Sequence, residues 1–319
     1  MTAQQIATEI RRHRRALIIS HVDPDGDTIG ASLVLALACG MLGITATVAC
    51  QDPLPEELLF LPGAGEYHTQ GTGQESLVIG VDASDARRLG AVYRDGAVQG
   101  KPLVVIDHHI TNQGYGDLNL VLDTASTAEV VLQVIDALEV PLDREISTCL
   151  LTGLVTDTQA FRTSNVTAEA LGVAMRLVQA GAALADITNQ VFSRRSFATL
   201  SLWGRALASA QLRDGVVWTE LPLAWVPEGS ANGQLGSGLA NMLNTAREAS
   251  VAALFTEQAD GLIDVSLRGK PGYDVSQVAV AFGGGGHAPA AGCQVSGELA
   301  KVRESILEAL VHLVKGDVL

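Results

Sequence analysis

The stretch "HVDPDGDTIGAS", residues 21–32, follows the apolar run "ALIIS" (16–20) and places three aspartates and a histidine within seven positions. A strand that ends in crowded carboxylates implies something for that charge to hold. The pattern recurs: "SLVIGVD" (76–82) ends in Asp82, and "PLVVIDHH" (102–109) ends in Asp107, His108 and His109. With "TATVAC" (45–50) these runs read as strands, and helical patterns fall at 2–14, 28–42, 127–138, 143–157 and 167–181. Strands alternating with helices predict a doubly wound α/β domain, its mainly parallel sheet covered on both faces. In such sheets ligands bind beyond the carboxyl ends of the strands. Three separate strand ends therefore aim acid or imidazole into one crevice.

The rest of the chain narrows the function. Its 319 residues suit two domains, and 47% hydrophobic content supports a sizeable core. Thirty-five acidic against 21 basic residues give a formal charge of −14. That balance argues against long duplex nucleic acid, whose binding rests on many Lys and Arg contacts to phosphate. A small anionic substrate held through local cations remains compatible with it. Cys39, Cys50, Cys149 and Cys293 form no CxxC pair and read as buried free thiols. The run from Ile29 to Cys50 lacks charge and is long enough to span a bilayer. Gly40 and Gly43 break it, and it reads as a buried helix followed by a strand. With no signal-peptide pattern at the N-terminus, the expected location is cytoplasmic, without membrane contact.

Residues 183–210 read as helix with basic residues, and a helical linker is expected over 188–210. It would join a first domain over 1–187 to a smaller α/β domain with a mixed sheet over 211–319. Strands are expected there at 215–221, 249–257 and 261–269, and helices at 241–247 and 301–314.

Acids gathered without counter-charge repel and raise one another's pKa, and a divalent cation removes that cost. Mixed His and Asp ligation suits Mn²⁺, Fe²⁺, Co²⁺ or Zn²⁺. The candidates are His21, Asp23, Asp25, Asp27, Asp82, Asp107, His108, His109 and Asp157, too many for one ion and suited to two. Two ions roughly 4 Å apart can clamp a phosphoryl group during in-line attack. Each piece alone has a bland reading. "DPDGD" is also a turn, "DHH" a strand end, Asp157 in "TGLVTDTQAF" (152–161) a helix cap, and "GGGGH" (283–287) a flexible loop. An EF-hand fails, because the twelfth position from Asp23 is Val34 and the loop follows a strand.

Taken in order, the motifs resemble those of the DHH phosphoesterase superfamily, named for the triplet standing here as Asp107-His108-His109. HxxPDGDxxG appears as His21 to Gly30, "VIGVDASD" at 78–85, "VVIDHH" at 104–109, "LVTDT" at 154–158 and "GGGGHAPAAG" at 283–292. Chain length and paired domains look most like the NrnA-like branch, the bifunctional oligoribonucleases and 3′-phosphoadenosine-5′-phosphate phosphatases. The resemblance implies two divalent ions, Mn²⁺ first, with Mg²⁺ or Co²⁺ as alternatives. One would be held by His21 and Asp25, the other by Asp27, His108 and Asp157, with Asp82 between them; Asp23 stands outside this set. It also implies that Asp107 orients its neighbours and that His109 faces the substrate. Arg268 would grip a terminal phosphate, and Gly284, Gly285, Gly286 and His287 would receive phosphate. The chain departs from the branch at Gly269 (usually Ser), at Gln159 (usually Gly) and at Ser237 (often acidic), which puts substrate preference in question.

The implied activity is hydrolysis of short oligoribonucleotides or linear dinucleotides such as pApA and pGpG, and of 3′-phosphoadenosine-5′-phosphate. Cleavage of cyclic di-AMP is the alternative. A manganese pyrophosphatase would carry a basic RKK-type anchor absent here, and a RecJ-type exonuclease would need a longer, more basic chain. A catalytically silent nucleotide sensor would be expected to lack ligands, whereas all six positions are intact. Family analogy favours a homodimer.

Overall fold

In the computed structural model, which describes residues 1–95, 98–226, 236 and 238–316, the chain divides into two compact units, Met1–Arg194 and Arg195–Leu319. The first unit runs α1 (Ala3–Arg11), β1 (Arg15–Ser20), α2 (Gly26–Met41), β2 (Thr45–Ala49), β3 (Tyr67–His68) and β4 (Leu77–Val81). It continues through α3 (Gly90–Arg94), β5 (Leu103–Asp107), β6 (Leu118–Val121), α4 (Thr127–Ala137), α5 (Arg144–Asp157), α6 (Ala168–Gln179) and α7 (Leu184–Phe192). Its six strands lie in the order β3-β2-β1-β4-β5-β6, every pairing parallel.

Alternation along the strands explains why both faces are covered. Ala16, Ile18, Ile79, Val81, Val104 and Ile106 join the core under the long helices. Leu17, Ile19, Val78, Leu103 and Val105 point the other way, into a smaller core with Leu89 and Val92. The strands are therefore near-continuous apolar runs, as parallel sheets require. From β1 the chain winds outward through β2 and β3, then returns to β4 and winds the opposite way. The strand order thus reverses between β1 and β4, a topological switch point. The acid-bearing ends of β1, β4 and β5 are neighbours beside it.

Helix α2 packs closely on α5. A Cβ on Gly30 would collide with the Cys149 carbonyl oxygen, and one on Gly153 would lie 2.6 Å from Asp27 Oδ1. This contact carries Asp27, in the first turn of α2, alongside the last turns of α5, where Asp157 stands.

The expected linker 188–210 covers the end of α7, a break over 193–196, and α8 (Phe197–Ala208) of the second unit. That unit continues with β7 (Gln211–Arg213), β8 (Val216–Leu221), α9 (Leu239–Leu243), β9 (Val251–Glu257) and β10 (Leu262–Gly269). It ends with α10 (Ser276–Ala281), β11 (Gly285–His287), β12 (Ala290–Ser296) and α11 (Leu299–Lys315). The sheet order is β11-β12-β10-β9-β8-β7, parallel at β8/β9 and antiparallel elsewhere, so it is mixed. Val302, Ile306 and Leu310, at helical spacing on α11, close its core against Val216, Val251, Phe255 and Val265. The glycine run that reads as a loop contributes a short strand, Gly285–His287, paired with β12. All four cysteines are buried and free. No single helix among the described residues is long and apolar enough to cross a membrane.

Candidate metal centre

The turn after β1 supplies the first acids. Asp25 caps α2, its Oδ1 accepting from the backbone N–H of Asp27 at 3.0 Å and of Thr28 at 3.2 Å. Asp27, fully buried, meets the N-terminus of α4: its carboxylate accepts from Thr127 N at 2.5 Å and Ala128 N at 2.9 Å. Helix N-termini carry unpaired N–H groups and a partial positive charge, which suits an anion. At the end of β4, Asp82 adopts left-handed φ of 57°, a conformation Asp tolerates better than most residues. Its Oδ1 accepts from the Thr127 hydroxyl at 2.8 Å.

Asp82 lies between two groups of ligand atoms. His21 Nε2 is 3.5 Å from Asp82 Oδ2 and 3.7 Å from Asp25 Oδ1. On the other side, His108 Nε2 is 3.7 Å from Asp82 Oδ1 and 3.4 Å from Asp157 Oδ2. Three sets bring their ligand atoms within 4.8 Å of one another: His21, Asp25 and Asp82; Asp27, His108 and Asp157; and Asp82, His108 and His109. All six expected ligands thus converge, whereas Asp23 is in none of the three sets. Its N–H instead donates to Asp52 Oδ2 at 2.8 Å.

The electrostatics of these residues fit divalent cations. Burial pushes the Asp157 carboxyl up to about 7, with help from the Asp82 and Asp25 charges and against His108. Asp27 is raised well above the usual carboxylate range by burial and by the charges of Asp82, Asp157 and Asp25. Burial works against protonation of His21, but hydrogen bonds and charge from Asp25 and Asp82 raise its pKa to about 10. Asp25, its side chain 54% exposed, is crowded by neighbours, which raises its pKa. The partner His21 and the N–H groups of Thr28 and Asp27 outweigh that and hold it low. Carboxylates that repel one another, interleaved with imidazoles, are donor chemistry that divalent ions neutralise. The His108 ring also fits, because its Nδ1 lies 3.1 Å from the Thr124 carbonyl and places the hydrogen there, leaving Nε2 as the ligating atom.

Asp107 is fully buried and serves its neighbours. Its Oδ1 accepts from His108 N at 2.8 Å and His109 Nδ1 at 2.7 Å, while Oδ2 accepts from Asn112 Nδ2 at 2.7 Å. The His109 ring is thereby oriented with its hydrogen on Nδ1. Burial opposes its protonation, but Asp107 and the Asp82 and Asp157 charges raise its pKa.

In the second unit, Arg268 on β10 donates from Nε to Asn241 Oδ1 at 2.6 Å and from Nη1 to the Leu267 carbonyl at 2.8 Å. Burial lowers its pKa, yet a guanidinium stays charged in a protein. Arg268 pairs with Ala290, and Ala290 pairs with His287. Directly paired residues project from one face of a sheet, so Arg268 and His287 share a face, two strands and roughly 10 Å apart. Gly284 admits no side chain, since a Cβ there would strike the Gly292 carbonyl. Gly285 and Gly286 follow in the same exposed hairpin, Gly286 at φ of 138°. Gly269 likewise has no room, because the Tyr273 carbonyl occupies the place a serine Cβ would take. Gln159 opens three consecutive left-handed residues, with φ of 48° and then 59° and 63° at Ala160 and Phe161. Ser237 lies outside the described residues.

Sequence reasoning missed Thr127, Asn112, Asn241 and Arg88, the last with Nη2 3.0 Å from His21 Nδ1. Of these only Thr127 had a signal: it begins a readable helix, whose N-terminus is an anion site.

The chain belongs to the DHH phosphoesterase family. It matches the DHH family, N-terminal domain, over residues 15–154, and the DHHA1 domain over residues 220–316. Within the family it is 35% identical over 298 residues to the bifunctional oligoribonuclease and PAP phosphatase NrnA of Thermus thermophilus, covering 92% of this chain and 88% of that one. The NrnA of Mycoplasma pneumoniae is 24% identical, covering 96% of this chain and 94% of its own. An exopolyphosphatase-related protein of Bacteroides fragilis shares the fold with a TM-score of 0.89 at 22% identity, covering 98% of this chain and 97% of that one.

Proposed function

We propose that the protein hydrolyses linear dinucleotides and very short oligoribonucleotides, and removes the 3′-phosphate of 3′-phosphoadenosine-5′-phosphate, using two divalent cations. The observation that carries this reading is the pair of three-residue ligand groups at the strand ends, His21–Asp25–Asp82 and Asp27–His108–Asp157, with Asp82 reaching both. The substrate class follows the names of the Thermus and Mycoplasma relatives.

When bound, the two cations supply Lewis acidity and neutralise charge on the phosphoryl oxygens. His21, Asp25 and Asp82 would hold one, and Asp27, His108 and Asp157, with Asp82, the other. His109, oriented by Asp107, donates a hydrogen bond or a proton to the phosphoryl or leaving oxygen. Arg268, held by Asn241, takes a terminal phosphate, and the exposed Gly284–His287 hairpin, whose Gly284 N–H is already bonded to the Ala279 carbonyl, brings bare backbone and imidazole to phosphate. Assays of the purified protein with Mn²⁺ across pApA, 3′-phosphoadenosine-5′-phosphate and cyclic di-AMP test the reading. Turnover of the first two is expected, and turnover of cyclic di-AMP alone would replace it.

A further inference from the structure

His21 stands just past β1, Asp82 just past β4, and Asp25 and Asp27 at the start of α2. The β1/β4 pairing ends at Ser20 and Val81, one residue short of both His21 and Asp82. Beyond that register a side chain makes the join. The Thr28 hydroxyl accepts from His21 N at 3.3 Å and donates to the Val81 carbonyl at 3.1 Å. One hydroxyl can do both, because it has a hydrogen to give and lone pairs to receive. The Thr28 N–H in turn donates to Asp25 Oδ1 at 3.2 Å, so this one residue holds the ends of β1 and β4 to the turn that starts α2.

Threonines on helices usually bond back to their own chain. Those of α5 do so: Thr152 donates to the Thr148 carbonyl at 2.8 Å, and Thr158 to the Leu154 carbonyl at 2.5 Å. Thr28 instead reaches a carbonyl 53 residues away. Thr28 and Val81 are fully buried and His21 is 3% exposed, so water does not share these bonds. A buried N–H or carbonyl that loses its partner there is not satisfied by solvent, and the backbone must shift to recover one. The backbones in question are those that aim His21 and Asp82.

We propose that Thr28 is a positioning residue of the metal centre, which sets His21 and Asp82 against Asp25 and Asp27 and so decides how tightly the centre takes its cations. Its hydroxyl is taken up by the two backbone groups and supplies no ligand atom. This role rests on the two-cation reading above.

The test compares wild-type protein with Thr28→Val, which keeps the branched shape and loses the hydroxyl, and Thr28→Ser, which keeps the hydroxyl. Electron paramagnetic resonance titration of chelator-treated protein reads Mn²⁺ stoichiometry and affinity, and melts in chelator read folding. Thr28→Val should fold with a lower Tm and bind Mn²⁺ about tenfold or more weakly, while Thr28→Ser stays within about threefold of wild type. A lower Tm in Thr28→Val with unchanged Mn²⁺ affinity overturns the proposal, because the hydroxyl would then serve the fold alone. So does Thr28→Ser binding as weakly as Thr28→Val, which would assign the effect to packing. If valine prevents folding, Thr28→Ala is read the same way, and loss of folding in both variants also overturns it. Wild-type protein that takes up a single equivalent of Mn²⁺ sinks the two-cation reading, and Thr28 is then judged on that ion. If it takes up none, both fail.

Discussion

Asp82 Oδ2 stands 3.5 Å from His21 Nε2, while the other oxygen of the same carboxylate stands 3.7 Å from His108 Nε2. One side chain thus faces both ligand groups, and its left-handed φ of 57° is the local strain that accompanies this placement. Removing it uncouples both groups at once. Asp82→Ala should lower turnover of pApA by about a thousandfold or more, and excess Mn²⁺ should not restore it. Recovery at high Mn²⁺ in a steady-state assay would sink the bridging role.

The oxygens of Asp107 are taken by His108 N, His109 Nδ1 and Asn112 and meet none of the candidate ligating atoms of the two ligand groups. An asparagine there can accept on one side only and offers N–H groups on the other. Asp107→Asn should therefore reduce kcat by about 10- to 100-fold with Mn²⁺ content unchanged. Metal analysis beside kinetics distinguishes this from a ligand, whose loss would empty a site.

Protons and cations compete for these residues. Asp157 is raised to about 7, so without metal the fold favours its protonated form, and stability falls as pH rises from the unfolded value of about 4 through 7. His21, raised to about 10, contributes stability below its unfolded value of about 6.5 and loses it as pH climbs towards 10. Both effects run the same way, and Mn²⁺ requires both groups deprotonated at the ligating atom. The rise in Tm on adding Mn²⁺ to chelator-treated protein should be larger at about pH 8 than at about pH 5.5. Thermal melts at the two pH values check the ordering, and the reverse would contradict these assignments.

Two departures from the family pattern have opposite consequences. At Gly269 the Tyr273 carbonyl fills the space of a Cβ, so Gly269→Ser should destabilise the second unit by about 1–3 kcal/mol. At Gln159 a non-glycine residue holds φ of 48°, so Gln159→Gly should stabilise the first unit by up to about 1 kcal/mol. Denaturant melts of the two variants would show the signs.

The strands that build the centre were legible because each is a short apolar run closed by acid or imidazole, as at Ser20–His21, Val81–Asp82 and Ile106–Asp107. Other strands were not. β3 is two residues long, and β6 reads "LNLV" at a sheet edge, too short and mixed to show a period. β11 and β12, "GGH" and "AAGCQVS", are glycine- and alanine-rich, so little apolar signal marks them as strands. The candidate ligands could be read from motif order, whereas Asn112, Asn241 and Arg88 could not, and Thr127 only as the start of a helix. They are ordinary polar residues whose role comes from tertiary proximity, such as the 100-residue separation between Asp27 and Thr127.

The most direct measurement is the electron paramagnetic resonance spectrum of Mn²⁺-loaded protein with quantified metal. Two ions sharing Asp82 at roughly 4 Å predict two equivalents per chain and a spin-coupled spectrum. A single uncoupled Mn²⁺ per chain, or none, would contradict the account.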